Sequence, residues 1–400
     1  MPELYGRNSS RTDLERRTGA LGQFAGVRLM TLDDGLERGI RMLEFRTGTG
    51  LRFTVLVDRA MDIADCEYQG LSLGWHSPSG FRHPGLHEPE GEGGLGWLRS
   101  FSGLMVTCGL DHILFMDERD ASGYVYEPRK TVCNSVHGRV SAIPARLTGY
   151  GEKWDTDRCT LWCEGLVSQG TVFGEHLELR RRIEVDVGTD VIRLHDTVVN
   201  RGFYTTPHMY CYHINLGYPL LDEGAEYVAP IADVVWAGHG GEAYRAQGVG
   251  YRTLAAPCDN FHEQVWEHEL AADDKARVSV GLFNDRLNLG FELNVSKTQF
   301  PCMYEWQNLQ AGQYAIGLEP STHHVLGGSF ARGRGEEILL DHGQTRSYDS
   351  EFRILTGAEK LKAARERISA IALAPTEPYP EPSGNFVPLA HSINPYGDRS

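Results

Sequence analysis

Two short runs carry the residue types that acid–base chemistry needs. The first, Thr206-Pro207-His208-Met209-Tyr210-Cys211-Tyr212-His213-Ile214-Asn215-Leu216-Gly217, is aromatic-rich and strand-like, with a histidine and an asparagine near its end. The second, Tyr314-Ala315-Ile316-Gly317-Leu318-Glu319-Pro320, stops at a glutamate. An imidazole titrating near neutrality and a carboxylate, each held at a strand end, are enough to move two protons. His208 lies five residues before His213, so on a regular strand the two rings face opposite ways. His213 is the candidate of the pair.

The elements that must position these groups are short and alternating. Leu51 to Val57, Cys159 to Val167, His176 to Val187 and Val191 to Val199 read as half-buried strands. So do Val278 to Phe283, Leu289 to Val295 and Ser350 to Leu355. Helical signals are few: a short turn over Leu14 to Leu21 and one amphipathic helix over Ala358 to Ala370. With 46 glycines between the runs, the fold class is all-β, a large antiparallel β-sandwich. The expected organisation is an N-terminal arm over 1–24, one sandwich domain over 25–372 and a Pro-rich tail over 373–400. Residues 76–103 are rich in Gly, Pro and His and too long for a hairpin, the kind of loop that closes over a site.

Composition removes several function classes. Formal net charge is −15, from 39 basic and 54 acidic residues, which disfavours a nucleic-acid or anionic-membrane partner. No run of about 18 apolar residues exists to span a bilayer. No apolar signal segment is visible at the N-terminus. The eight cysteines are scattered and read as reduced, buried thiols, so the expected location is cytoplasmic. No phosphate-binding glycine loop is present.

Val198-Val199-Asn200-Arg201-Gly202, then Pro207, His213 and Asn215-Leu216, resembles the pattern of the aldose 1-epimerase (galactose mutarotase) superfamily. Asn134-Ser135-Val136-His137-Gly138-Arg139 resembles that family's N-x-L-H-G-G segment. Trp306 followed by Tyr314 to Pro320 resembles the element carrying its base, and Leu339 to Thr345 its closing turn. These motifs run in order over about residues 25–355. The chain is most similar to a divergent branch with Asp58 to Ile63, a tryptophan at Trp75 and Thr107-Cys108-Gly109-Leu110. It departs from the family where Arg139 replaces a glycine and where the histidine run shrinks to His213-Ile214-Asn215-Leu216.

The resemblance implies a mutarotase-like sandwich acting on a monosaccharide or sugar derivative. In it Glu319 takes the C1 hydroxyl proton, His213 protonates the ring oxygen, and His137 assists near the anomeric centre. Candidate substrate-binding residues are Arg59, Asp62, Arg139, Asn215, Trp306 and His323. Arg139 is the group to meet an anionic substituent. Trp75 and Trp97 join Trp306 as stacking candidates. No cofactor is expected. Two alternatives stay open: a non-catalytic carbohydrate-binding module, and a metal-assisted isomerase or lyase. In the latter, His137, His208, His213 and Glu319 would hold zinc or manganese. The sequence leaves a homo-oligomer open.

Overall fold

The computed structural model describes residues 1–238, 250–377 and 379–389. The last residues of the tail, 390–400, therefore lie outside the described part. Two large antiparallel sheets dominate the described residues. The smaller has eight strands, in the order Arg146–Asp155, Arg158–Gly170, His176–Asp186, Val191–Asn200, Thr345–Thr356, Leu289–Ser296, Arg277–Asn284 and Glu226–Val228. The larger has twelve. Its path runs Ile231–Ala237, Gln264–Leu270, Cys302–Asn308, Ala315–Ser321, Thr206–Gly217, Met105–Leu110, Asp62–Tyr68, Leu51–Leu56, Arg41–Arg46 and Gly26–Thr31. Leu71–Ser72 and Ile338–Leu340 add short flanking pairs.

The two sheets obey different burial rules. On Arg158–Gly170 burial alternates strictly, with Cys159, Leu161, Cys163 and Val167 turned inward. That is the period-two pattern of a sheet wet on one face. Thr206–Gly217 is instead buried at nearly every position, because both faces of the large sheet are covered. Tyr210, Tyr212, Phe300, Phe352 and Tyr348 belong to the core between the sheets. Trp75, Trp97, Phe101, Cys211, Tyr304 and Trp306 form a second apolar cluster on the other face.

The expected short turn over Leu14 to Leu21 is a helix at Arg11–Glu15 followed by a 3-10 turn at Leu21–Gln23. Ser10 closes a capping box with Asp13 and so sets the earlier start. The C-terminal helix, Ala358–Ser369, buries Leu361, Ala364 and Ile368 against Phe283 of the eight-stranded sheet. Among the described residues no helix is long and apolar enough to cross a membrane.

A buried guanidinium joins the sheets. Arg181 of the small sheet donates to both carboxylate oxygens of Asp196 (2.9 and 2.7 Å), to Asp62 of the large sheet and to the Ala60 carbonyl in the turn before it. The hydroxyls of Tyr210 and Tyr212 each donate to Asp196 at 2.6 Å. A buried charge network is expensive to break from one side, because the remaining charge loses its partner. Asp196→Ala is expected to cost about 3–5 kcal/mol of stability. Urea unfolding measures this, and a loss below about 1 kcal/mol, the value of an exposed pair, would refute the clamp.

Candidate active site

Strand register creates the site. The strands Thr206–Gly217 and Ala315–Ser321 pair antiparallel with Cys211 opposite Ser321 and Ile214 opposite Leu318. That register sets His213 across from Glu319. Odd-numbered positions of Thr206–Gly217 face away from the core between the sheets, so His213 shares a face with Cys211 and Met209. His213 Nε2 lies 3.3 Å from Glu319 Oε1, with both side chains only 4% exposed.

Between the two strands' side chains, Gly317 leaves the space they need. A Cβ there would sit 2.9 Å from His213 Cε1 and 3.2 Å from Glu319 Oε1. His137 arrives from a turn rather than a strand, in a left-handed conformation (φ 56°) followed by Gly138 at φ 73°. Its amide donates to the Leu114 carbonyl, and its carbonyl accepts from Gly109. The His137 and His213 rings are 5.6 Å apart, centre to centre.

These three groups line a cavity of about 500 Å³ walled by Trp75, Trp97, Phe101, Tyr304 and Trp306. The Trp97, Phe101 and Trp306 rings lie 5.9, 4.5 and 5.2 Å from the His213 ring. Ser77, Ser79, Glu263, Asn308 and Gln313 supply polar points on the rim and walls. The Trp306 indole N–H donates to Glu263 at 2.8 Å.

Burial sets the charges. It pushes the Glu319 carboxyl up to about 8, against the pull of His137. Burial, reinforced by the neighbouring His137, holds His213 well below the ordinary imidazole range, with Asn215 acting the other way. His137 is raised: burial opposes its protonation, but Cys108, Glu319 and Glu263 outweigh it. The pair His213–Glu319 therefore shares one proton near neutrality, held on the carboxyl.

The remaining sequence candidates divide. Trp306 lines the cavity. Asn215 lies outside the cavity lining, and its side-chain amide donates to the carbonyls of Gly103 and His213. Arg59 is sunk among the carbonyls of Ser141, Arg82 and Ser100, which use its guanidinium. Asp62 accepts from Thr107 and Arg181 inside the sandwich. Arg139 turns away to Glu175 and Thr171 and lines a separate polar cavity. His323 bonds Thr322 and faces a different, very small cavity.

His208 bonds the Leu110 carbonyl and the Tyr348 hydroxyl on the opposite face from His213. The four ligands imagined for a metal at this site therefore do not converge. Sequence reasoning missed Glu263, Asn308, Gln313, Tyr304 and Phe101. Two of them left a trace: Tyr304, two residues from Trp306 on the same face of its strand, and Phe101, inside the 76–103 loop.

The sandwich with an imidazole–carboxylate pair on the outer face of its large sheet is a galactose mutarotase-like fold. A solved structure from Klebsiella pneumoniae subsp. pneumoniae, carrying the provisional name aldose 1-epimerase, superposes with a TM-score of 0.79. The match covers 90% of this chain and 91% of that one at 23% identity. A galactose mutarotase-like protein from Clostridium acetobutylicum matches at a TM-score of 0.57 and 10% identity, over 84% of this chain and 99% of that one. At these identities the likeness shows the fold. No curated protein matches the chain by sequence. The chain belongs to the family described as "Domain of unknown function (DUF4432)", whose sequence model matches residues 37–354.

Gly317→Ala tests the tightness of the pair. The added methyl must push the His213 ring or the Glu319 carboxyl aside, at an expected cost of about 1–3 kcal/mol for overpacking. Thermal or urea unfolding measures it, and unchanged stability would mean that the ring has room to move.

Proposed function

We propose that the protein interconverts the anomers of a sugar, as an aldose 1-epimerase-type isomerase, using His213 and Glu319. The observation that carries this reading is the 3.3 Å imidazole–carboxylate contact at the base of an aromatic-walled cavity. The names of the structurally similar proteins point the same way. Ring opening removes the C1 hydroxyl proton and delivers one to the ring oxygen; closure on the other face reverses both transfers. A pair that shares one proton across 3.3 Å can serve both directions. Glu319 is the base toward the C1 hydroxyl and His213 the acid toward the ring oxygen once the shared proton has passed to the imidazole. His137, held toward its protonated form, donates to the oxygen that gains charge on ring opening. The aromatic walls stack on the apolar faces of a sugar ring and exclude water from the proton transfers.

Two measurements test it. Glu319→Gln keeps the shape but cannot exchange the proton. Anomer equilibration of aldoses, followed by polarimetry or NMR, is expected to slow by about 10²–10⁴-fold. An unchanged rate beside intact sugar binding would favour a binding module instead. The competent pair holds one proton, which it loses as pH rises through the Glu319 value of about 8. The kcat/KM profile is therefore expected to fall above about pH 8, and a profile flat through that region would sink the assignment.

A further inference from the structure

Beside the catalytic pair, on the same face of the large sheet, a second set of reactive groups converges. Glu267, Cys302 and His324 are all buried, and their ligand atoms lie within 4.8 Å of one another. They come from three neighbouring segments: the strand Gln264–Leu270, the strand Cys302–Asn308 and the turn after Ala315–Ser321. Pairing aligns Glu267 with Tyr304, and Tyr304 with Glu319. Cys302 lies two residues before Tyr304, so it shares that face. The cluster is thus one strand position from the cavity wall, and Val325, next to His324, lines the cavity.

The hydrogen bonds fix which atoms meet. His324 Nε2 lies 3.0 Å from the Val387 carbonyl oxygen, which can only accept, so Nε2 carries a proton. Nδ1 then faces Glu267 Oε1 at 2.5 Å and Cys302 Sγ at 3.6 Å. Protons can join these atoms, one between Nδ1 and Oε1 and the thiol hydrogen donated to a neighbouring acceptor. A single metal ion can replace both protons and bind the nitrogen, the oxygen and the sulfur together.

The supporting contacts are those of a metal site. Each nitrogen- or oxygen-bearing ligand is oriented from behind, His324 by Val387 and Glu267 by the Val325 amide, which donates to its second oxygen at 2.9 Å. Phe386 packs on the His324 ring at 5.0 Å, closing the cluster from the C-terminal arm. One sulfur, one imidazole and one carboxylate form a borderline-soft set suited to zinc, and unsuited to calcium or magnesium.

We propose that Glu267, Cys302 and His324 bind a zinc-class divalent cation that braces the cavity wall. The ion ties two strands of the large sheet to the turn bearing Val325 and, through Val387, to the C-terminal arm. Binding releases the Cys302 thiol proton and any proton between Nδ1 and Oε1. This site shares no residue with the proton-transfer pair and does not depend on the proposed reaction.

The test uses the purified full chain, stripped with a chelator and titrated with Co²⁺ and, separately, Zn²⁺. One Co²⁺ per chain is expected, with a sulfur-to-cobalt charge-transfer band that Zn²⁺ displaces, and a rise in Tm on Zn²⁺ addition. Cys302→Ser should abolish the band, and Glu267→Gln should weaken binding by about tenfold or more while keeping it. The proposal is overturned if the stripped chain takes up no Co²⁺ or gives no charge-transfer band. A band of equal strength in Cys302→Ser overturns it too, since the ion then sits elsewhere. Should Cys302→Ser fail to fold by circular dichroism, the wild-type band and Glu267→Gln decide the matter.

Discussion

The geometry of this protein hangs on the buried contact between Arg181 and Asp196. Asp196 accepts from the hydroxyls of Tyr210 and Tyr212 as well as from Arg181, which in turn reaches Asp62 and Ala60. Tyr210 and Tyr212 occupy the even positions of the strand whose odd positions include Cys211 and His213. Anchoring the tyrosines inward obliges the histidine to point outward. A slip of one residue would reverse every side chain on that strand, so a polar network in the core dictates where the imidazole stands on the other side of the sheet. The same guanidinium links both sheets, which makes sandwich assembly and site assembly one event.

Desolvation then does the chemical tuning. The aromatic cluster around His213 withholds water from two ionisable groups that touch, and neither can carry charge cheaply. The result is a neutral imidazole beside a protonated carboxyl, one mobile proton between two bases. His137 differs because acidic neighbours compensate for its burial, and its turn conformation holds it against the strands instead of within them. Three groups of two residue types thus acquire three different proton affinities from their surroundings.

Much of this was legible in the sequence. The strands of the small sheet announced themselves by alternation, since one face meets water. The large sheet was harder, because burial on both faces erases the period that marks a strand. His213 and Glu319 stood out as an imidazole and a carboxylate at strand ends, the order of motifs strengthened them and added His137, and the three do meet. Arg59, Asp62 and Arg139 misled for a common reason. Charges amid apolar residues suggest a ligand, yet backbone carbonyls and buried counter-charges use them just as well, and only coordinates distinguish these partners. The cavity's aromatic walls come from residues distant in sequence, which no spacing rule links. His324, like His323, follows the Glu-Pro turn closely enough to suggest the same pocket, yet its ring meets Glu267 and Cys302, which lie on other strands that no spacing connects.

Strands and loop constrain the cavity to different degrees. The pair His213–Glu319 is held by strand register and by a glycine at which even a methyl would displace the ring or the carboxyl, so the framework constrains it tightly. Ser77, Ser79, Trp97 and Phe101, by contrast, reach the cavity from the segment 76–103, which contributes no strand to either sheet. Loops of this kind absorb insertions and substitutions at little cost to the framework. The lining that this connection supplies can therefore change shape and polarity without disturbing the strands that hold His213 and Glu319.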